Sequence, residues 1–311
     1  MPAPAVENPR PFSLEASTAG PEHGVPMQHE YSGPLDHIGA APTLLCLVSS
    51  AEQFRIAAAY AYPIGRSFGL EVAFGWLISV PERGVTTDPV SWFASRDALL
   101  SVARDEMAML GADDATTVLL NGASEDMIVD WARRHPGSLL CVFAGLVHSN
   151  GLAGRLLRET ENSLLFLPAR PHEPSFSLLV PLDGTRRADS VVPFVHRLAA
   201  MAPEPIIFAR IVTNDDPRAI ARAESHLNRH CARAIQADLR ARVVIGTGGA
   251  EEGLCALTRQ ENSGMVVLGS PGPFRTGTES PVVEYVVGHS EVPVLLLRAG
   301  FVTSPLRPGR T

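Results

Sequence analysis

The feature that most constrains this sequence is a continuous apolar run at residues 265–268 that leads into the glycine turn Gly269-Ser-Pro-Gly272. Such a run suits a buried strand, and the glycines let the turn approach a ligand closely. A helix-like stretch and a second strand-like run, residues 292–298, follow it. A strand, a turn and a helix in this order bring free N–H groups and the positive end of the helix dipole to one crevice. That crevice suits a phosphate group.

The rest of the chain alternates strand-like and helix-like segments in two similar units. Continuous rather than alternating apolar runs indicate a parallel sheet covered on both faces. The units are offset by about 130 residues, which indicates a duplicated domain because solenoid repeats are much shorter, about 20–50 residues. We expect strands at 43–48, 70–80, 117–120, 138–143 and 163–167, then at 178–182, 205–212, 241–246, 264–268 and 293–297, and helices at 53–68, 97–110, 124–135, 189–201, 217–240, 252–260 and 281–288.

These patterns divide the chain into four segments. Residues 1–40 are rich in Pro, Gly, His and Glu without an apolar period, which predicts a mostly disordered tail. Residues 41–170 and 171–300 form the first and second domains, and residues 301–311 form a flexible C-terminal tail.

Composition excludes several classes of function. The net charge of -7 argues against a nucleic-acid or anionic-membrane surface. Every basic residue is arginine, so no mechanism that needs a lysine is available. The four cysteines lie far apart and are expected to be buried small apolar residues. No signal peptide or membrane-spanning segment is apparent, which predicts a cytoplasmic protein.

The turn Gly269-x-x-Gly272, the strand Pro293-Val that follows it, and Pro181-Leu-Asp183 at the end of an earlier strand resemble motifs of the universal stress protein family. The resemblance to its tandem members covers both units. It implies an α/β fold of two tandem flavodoxin-like or Rossmann-like parallel-sheet domains, as in adenine nucleotide alpha hydrolases. It also implies an intrachain pseudo-dimer in which the strands at 164–167 and 294–297 meet.

The same resemblance implies a nucleotide site in the second domain. The ligand would be ATP or another adenine nucleotide. Pro181, Asp183 and Ile211 would surround the adenosine, and Gly269 and Gly272 would lie at the phosphates. The binding set also includes Ser280 and Val282.

The second domain departs from the family pattern after Gly272. The family has Gly-Ser or Gly-Thr where this chain has Ser280-Pro281, and the preceding loop is about two residues short. Proline has no N–H to offer a phosphate, so Ser280 is also interpreted as a helix N-cap with Pro281 next. Asp183 likewise has a second interpretation, as a turn residue ahead of a helix.

The first domain lacks the binding residues. Ser49 stands in place of the aspartate, and Ala144-Gly145 begins a loop too short for a phosphate turn. We therefore expect the first domain to have lost nucleotide binding and to serve as a partner for the second.

No other motif indicates catalysis or metal binding. Gly246-Thr-Gly248-Gly249 resembles the start of a dinucleotide fingerprint, but Glu251 occupies the position where its third glycine belongs and would repel a pyrophosphate. The histidines show no metal-binding pattern. We expect a protein that is not an enzyme and has no metal.

These observations predict a regulatory or stress-response factor. One alternative is an interaction scaffold whose two pockets are both vestigial. A less favoured one is an adenine-nucleotide hydrolase or nucleotidyltransferase. Expected partners are the other domain of the chain and an unidentified regulatory protein, without nucleic acid or membrane. Whether the chain also forms a homodimer is left open.

Overall fold

The computed structural model describes residues 35, 38, 41–78, 98, 101, 104–105, 107–109, 115–121, 123–144, 151–168, 175–201, 203–213, 215–270, 281–298 and 301. Most of the tails predicted over 1–40 and 301–311 lies outside these residues. The helix predicted over 97–110 is described only at scattered positions, which are helical.

The first half of the chain, residues 43–167, contains a parallel sheet with helices on both faces. Its strands consist of consecutive apolar residues, and both β1 and β4 are buried along their whole length. The strands are β1 (Thr43–Val48), β2 (Glu71–Ile78), β3 (Thr116–Asn121), β4 (Leu139–Phe143) and β5 (Ser163–Leu167), and the helices are α1 (Ala51–Phe68), α2 (Glu125–Arg134) and α3 (Leu152–Glu159).

The second half, residues 178–298, repeats this pattern. None of the helices described in either half has the length and apolar character needed to cross a membrane. The strands are β6 (Leu178–Pro181), β7 (Ile206–Val212), β8 (Ala241–Thr247), β9 (Met265–Ser270) and β10 (Val294–Arg298), and the helices are α4 (Arg186–Asp189), α5 (Val192–Ala199), α6 (Pro217–Gln236), α7 (Ala250–Gln260) and α8 (Pro281–His289).

The described strands form one continuous sheet in the order β3-β2-β1-β4-β5-β10-β9-β6-β7-β8. All neighbours within a half are parallel, whereas β5 and β10 are antiparallel. Read outward from the centre, the two halves have the same strand order, so a local two-fold axis relates them. The predicted fold class, two tandem parallel-sheet domains in an intrachain pseudo-dimer, is confirmed.

The two halves join at β5 and β10, which we call the seam. Val294 lies opposite Phe166, and Leu295 lies opposite Leu165. Both strands are buried along their whole length. The predicted meeting of residues 164–167 and 294–297 is confirmed. It removes two apolar edge strands that would otherwise be open to aggregation.

Arg298, at the end of β10, ties the seam to the first half. Its backbone N–H donates to Ser163 Oγ at 3.0 Å, and its guanidinium donates to the carbonyls of Asn162 and Leu157. The side chain is buried, and this burial lowers the pKa of Arg298 to about 10. The group therefore stays charged at neutral pH, and backbone carbonyls solvate it in place of water.

A cluster of three phenylalanine rings joins the halves on one face of the sheet. Phe68 of α1, Phe194 of α5 and Phe301 have ring centroids 5.7–5.8 Å apart. Phe301 is buried, so the prediction that a flexible tail begins at residue 301 is wrong at that residue. The short apolar pair Phe301-Val302 beyond a strand carries no periodic signal, and only the fold shows what Phe301 packs against.

The N-terminal tail predicted over residues 1–40 also includes residues that are buried in the structure. Leu35 and Ile38 are buried in the core of the first half. Their carbonyls accept hydrogen bonds from Trp131 Nε1 at 3.1 and 3.2 Å. Assigning residues 1–40 to a disordered tail is therefore wrong for these two positions.

The helix predicted over 189–201 is two helices. Thr185 caps the first, α4, by accepting from the N–H of Ala188 at 3.2 Å, so helical structure begins before residue 189. Pro193, at the start of α5, has no N–H to continue the helical hydrogen bonds. The break leaves Asp189 as the last residue of the short helix α4.

Candidate functional site

A cavity of about 190 Å3 lies at the carboxyl ends of β6, β7 and β9. Open parallel sheets bind ligands at this end of their strands. Two of the residues predicted to bind the ligand, Gly272 and Ser280, lie outside the described residues. The lining includes the other five predicted residues, Pro181, Asp183, Ile211, Gly269 and Val282, together with Leu182, Ala188, Arg210, Ala250, Leu254, Leu268 and Val283.

Asp183 is exposed at the cavity and takes part in a turn. Its Oδ1 accepts from Thr185 N at 2.8 Å and from Thr185 Oγ1 at 2.6 Å. Gly184 between them has a φ of 86°, a left-handed conformation that glycine adopts without strain. The turn interpretation of Asp183 is therefore confirmed. The turn hydrogen bonds involve Oδ1 and not Oδ2.

Ile211 lies against two glycines. A Cβ on Gly246 would lie 2.8 Å from Ile211 Cδ1, and one on Gly253 would lie 3.1 Å from the same atom. These glycines belong to the segment that resembles a dinucleotide fingerprint. Their role in this structure is to make room for the Ile211 side chain at the cavity wall.

Gly269 is required by packing. A Cβ at this position would lie 2.8 Å from the carbonyl oxygen of Arg187 and 2.9 Å from Val191 Cγ1. Only glycine lets α4 approach β9 this closely. The close approach explains Gly269 without reference to a phosphate, and it also brings Ala188 of α4 to the cavity.

Helix α8 begins at Pro281 and supplies apolar lining through Val282 and Val283. Proline is favoured at the first position of a helix because its missing N–H has no partner there. Val282 is partly exposed, whereas Val283 is buried. This arrangement agrees with the interpretation that made Pro281 the first helical residue.

Arg210 lines the cavity but was not among the predicted residues. A Cβ on Gly184 would lie 3.1 Å from Arg210 Nη1, so the guanidinium crosses the turn next to Asp183. Within the described part of the chain, Arg210 has no ion pair, and it adds positive charge at the mouth of the cavity. Nothing in its sequence position, inside an apolar strand, marks this role.

A comparison with models of protein families identifies the family of the second half of the chain. The model of the universal stress protein family matches residues 177–298, a range that includes every residue lining the cavity. The second half of this chain is a universal stress protein domain. A search of curated proteins gives no match.

Solved structures extend the similarity in fold beyond this universal stress protein domain. A universal stress protein from Archaeoglobus fulgidus DSM 4304 has a TM-score of 0.58 at 14% identity, over 83% of this chain and 97% of that one. A protein of unknown function from Pseudomonas aeruginosa PAO1 has a TM-score of 0.55 at 15% identity, over 83% and 93%. At these identities the similarity shows the fold.

The first half has an equivalent cavity, of about 260 Å3, at the carboxyl ends of its own strands. In the first half Leu44 of β1 pairs with Leu139 of β4. In the universal stress protein domain, Leu178 of β6 pairs with Met265 of β9 in the same register. β4 and β9 therefore correspond residue by residue, and so do the two cavities.

The two cavities differ at the positions that matter for a nucleotide. Phe143 corresponds to Gly269, so an aromatic side chain lines the first cavity where the second has none. Ser49 corresponds to Asp183, and both its N–H and its hydroxyl donate to Gln53 Oε1 at 2.8 Å. The position equivalent to Asp183 thus carries no carboxylate, and the serine there already has a partner.

A third polar group of residues lies outside both cavities. Asp189, His226 and His230 lie together between α4 and α6. The two histidines are one helical turn apart within a predicted helix, a spacing that was visible in the sequence. Asp189 is far away along the chain, so only the fold brings the third group to them.

Proposed function

We propose that this chain is a cytoplasmic stress-response regulator that binds ATP or another adenine nucleotide at one site, the cavity of its universal stress protein domain. The observation that supports a single site is the contrast between the two corresponding cavities. Asp183 and Gly269 in one correspond to Ser49 and Phe143 in the other.

The walls of the second cavity suit an adenosine. Ile211, Leu254 and Val283 present apolar surface, which is the environment that the faces of a purine prefer. Asp183 stands at the mouth, where its carboxylate can accept hydrogen bonds from ribose hydroxyls. The turn occupies Oδ1, so we assign this role to Oδ2.

The charge at the cavity mouth suits the phosphates. Arg210 lies beside the turn that carries Asp183. An arginine without an ion pair among the described residues attracts an anion and can bind two phosphate oxygens at once. We assign to Arg210 the preference of the site for a nucleotide over a nucleoside.

We propose binding rather than catalysis. Among the described lining residues, Asp183 and Arg210 are the ones with ionisable side chains. Asp183 is already engaged in a turn, and an arginine guanidinium carries only hydrogen-bond donors and no acceptor, so it is a poor general base. The described part of the lining therefore offers no activated nucleophile or base. Regulation would then act through a protein partner that senses the bound state.

Isothermal titration of the full chain with ATP and Mg2+ tests the proposal. We expect one site per chain. Asp183→Ala should weaken binding roughly 5- to 150-fold, the equivalent of losing a buried polar contact worth about 1–3 kcal/mol. Asp183→Asn keeps an acceptor for the turn, so comparing the two variants separates loss of the turn from loss of the carboxylate. Ser49→Ala is the matched control in the first half and should bind as the wild type does.

A second titration tests the role of Arg210. Arg210→Gln should weaken the binding of ATP more than the binding of adenosine, because adenosine carries no phosphate. Equal losses for both ligands would show that Arg210 acts on the fold and not on the phosphates. Two equivalent sites per chain would refute the asymmetric proposal.

The packing role of Gly269 favours one alternative, an interaction scaffold with two vestigial cavities. Under that hypothesis the glycine is retained for α4 and not for a ligand. Absence of any binding heat at millimolar ATP, AMP and adenosine would support the scaffold and refute nucleotide binding.

A further inference from the structure

Asp189, at the end of α4, faces two histidines of α6. His226 and His230 are one helical turn apart and project from the same face of the helix. His226 Nε2 lies 3.1 Å from each oxygen of the Asp189 carboxylate. His230 Nε2 lies 3.4 Å from Asp189 Oδ1. One nitrogen from each ring and one carboxylate oxygen thus lie within 4.8 Å of one another.

Hydrogen bonding within this cluster leaves buried atoms without partners among the described residues. These atoms are Asp189 Oδ1 and the Nδ1 atoms of His226 and His230. The two histidines are 9% and 7% exposed, so water reaches them poorly. A buried polar atom without a partner destabilises the folded chain, because it has lost its hydrogen bonds to water. A cation bound at the centre would satisfy Asp189 Oδ1 and use the Nε2 lone pair of each ring.

We propose that Asp189, His226 and His230 bind a divalent transition-metal ion, with Zn2+ as the best chemical fit. Tetrahedral zinc with bonds of about 2.0–2.1 Å holds its ligand atoms about 3.3 Å apart. The distances of 3.1 and 3.4 Å from the carboxylate to the two rings match that spacing. Three protein ligands leave the fourth position to water, which can enter past Asp189, whose side chain is 31% exposed.

The surroundings set the expected strength of binding. Arg229 and Arg233 lie on the same helix and repel a cation. Zinc-bound histidines usually donate their second N–H to an acceptor, and none is present here within the described chain. We therefore expect micromolar affinity, weaker than that of a structural zinc finger.

A bound ion would fasten α4 to α6. Helix α4 is only four residues long, and its Arg187 carbonyl contacts Gly269 at the cavity of the second half. An ion at Asp189 would therefore stabilise the folded chain and hold one wall of that cavity. The metal site does not depend on whether the cavity binds a nucleotide.

Titration of the untagged, chelator-treated full chain with Co2+ and then with Zn2+ tests the proposal. We expect one Co2+ per chain with the strong visible absorption of four-coordinate cobalt, displaced by Zn2+. Zn2+ should also raise the melting temperature of the wild type, because an ion that binds only the folded state stabilises it. His226→Gln, His230→Gln and Asp189→Asn should each weaken binding at least about tenfold, since ligand loss exceeds the effect of losing an outer hydrogen bond.

Two controls test other sources of metal binding. His289→Gln changes an exposed histidine elsewhere and should leave binding unchanged. Replacing His23, His29 and His37 together by Gln removes another cluster of histidines in the sequence and should also leave it unchanged. Binding that survives loss of the Asp189 cluster, or that disappears with the triple replacement, would overturn the proposal. A cobalt–thiolate absorption band in the wild type would overturn it without reference to any variant.

Discussion

Leu296 of β10 lies directly opposite Leu164 of β5 in the antiparallel seam that joins the two halves of the chain. Both side chains are fully buried. β10 also pairs in parallel with β9 on its other side, so it is an internal strand of the sheet. The universal stress protein domain therefore has no free edge at β10, and we expect its stability to depend on the first half.

Leu296→Pro should destabilise the chain by at least about 3 kcal/mol, because it removes a backbone donor and places a ring against a paired strand. Leu296→Ile is the matched control. It keeps the N–H and the side-chain volume and should cost less than about 1.5 kcal/mol. Chemical denaturation of both variants measures the difference. Equal free energies of unfolding would mean that the seam contributes little to stability.

The seam could be predicted because both edge strands are continuous apolar runs that must be covered. The packing around the seam could not be predicted from the sequence. Phe301 and Leu35 lie in segments without a sustained apolar period, so no pattern marks them as buried. The break between α4 and α5 depends on two local signals, the Thr185 cap and Pro193, that compete with an apolar period running through them.

Gly269→Ala should destabilise the protein in the absence of any ligand, by about 1–3 kcal/mol, because the added methyl would overlap the Arg187 carbonyl and Val191. Gly288→Ala is the control, since a Cβ there meets nothing within 4 Å. That change should be neutral or stabilise α8 by up to about 1 kcal/mol. Melting temperatures of the ligand-free wild type and of both variants measure these changes in stability. If Gly269→Ala is as stable as the wild type, the glycine is not required by packing.

The sequence identifies some residues of the candidate site but not the role of each. Pro181, Asp183, Ile211 and Val282 were found through a family resemblance, and the structure places them around one cavity. Their pattern does not show that Gly269 serves helix packing, because a glycine required by packing and one required by a ligand look the same in a sequence. Arg210 was missed for a related reason, since its position depends on the turn at Gly184.

Leu35→Ala should lower the free energy of unfolding by about 2–5 kcal/mol, the usual cost of a cavity in a core. The sequence pattern assigns this residue to a mostly disordered tail, so the result distinguishes the two descriptions. Met127→Ala on α2 is the control, since Met127 is 39% exposed and should lose less than about 1 kcal/mol. Urea denaturation of the full chain is the measurement. Equal stability of Leu35→Ala and the wild type would contradict a role for Leu35 in the core and would support its assignment to the tail.

His196 of α5 should make the stability of the chain depend on pH. Burial lowers the pKa of His196, and its Nε2 has no partner among the described residues. Folding therefore disfavours the protonated ring, while the unfolded chain binds a proton near the ordinary histidine pKa of about 6.5. Stability should be greatest above that pH and should decrease as the pH is lowered through it, because the unfolded state then binds more protons. His196→Gln cannot titrate and should lose less stability between about pH 7.5 and 5.5, with every other histidine unchanged. Free energies of unfolding measured across that range check this, and parallel curves for the two proteins would show that His196 does not contribute.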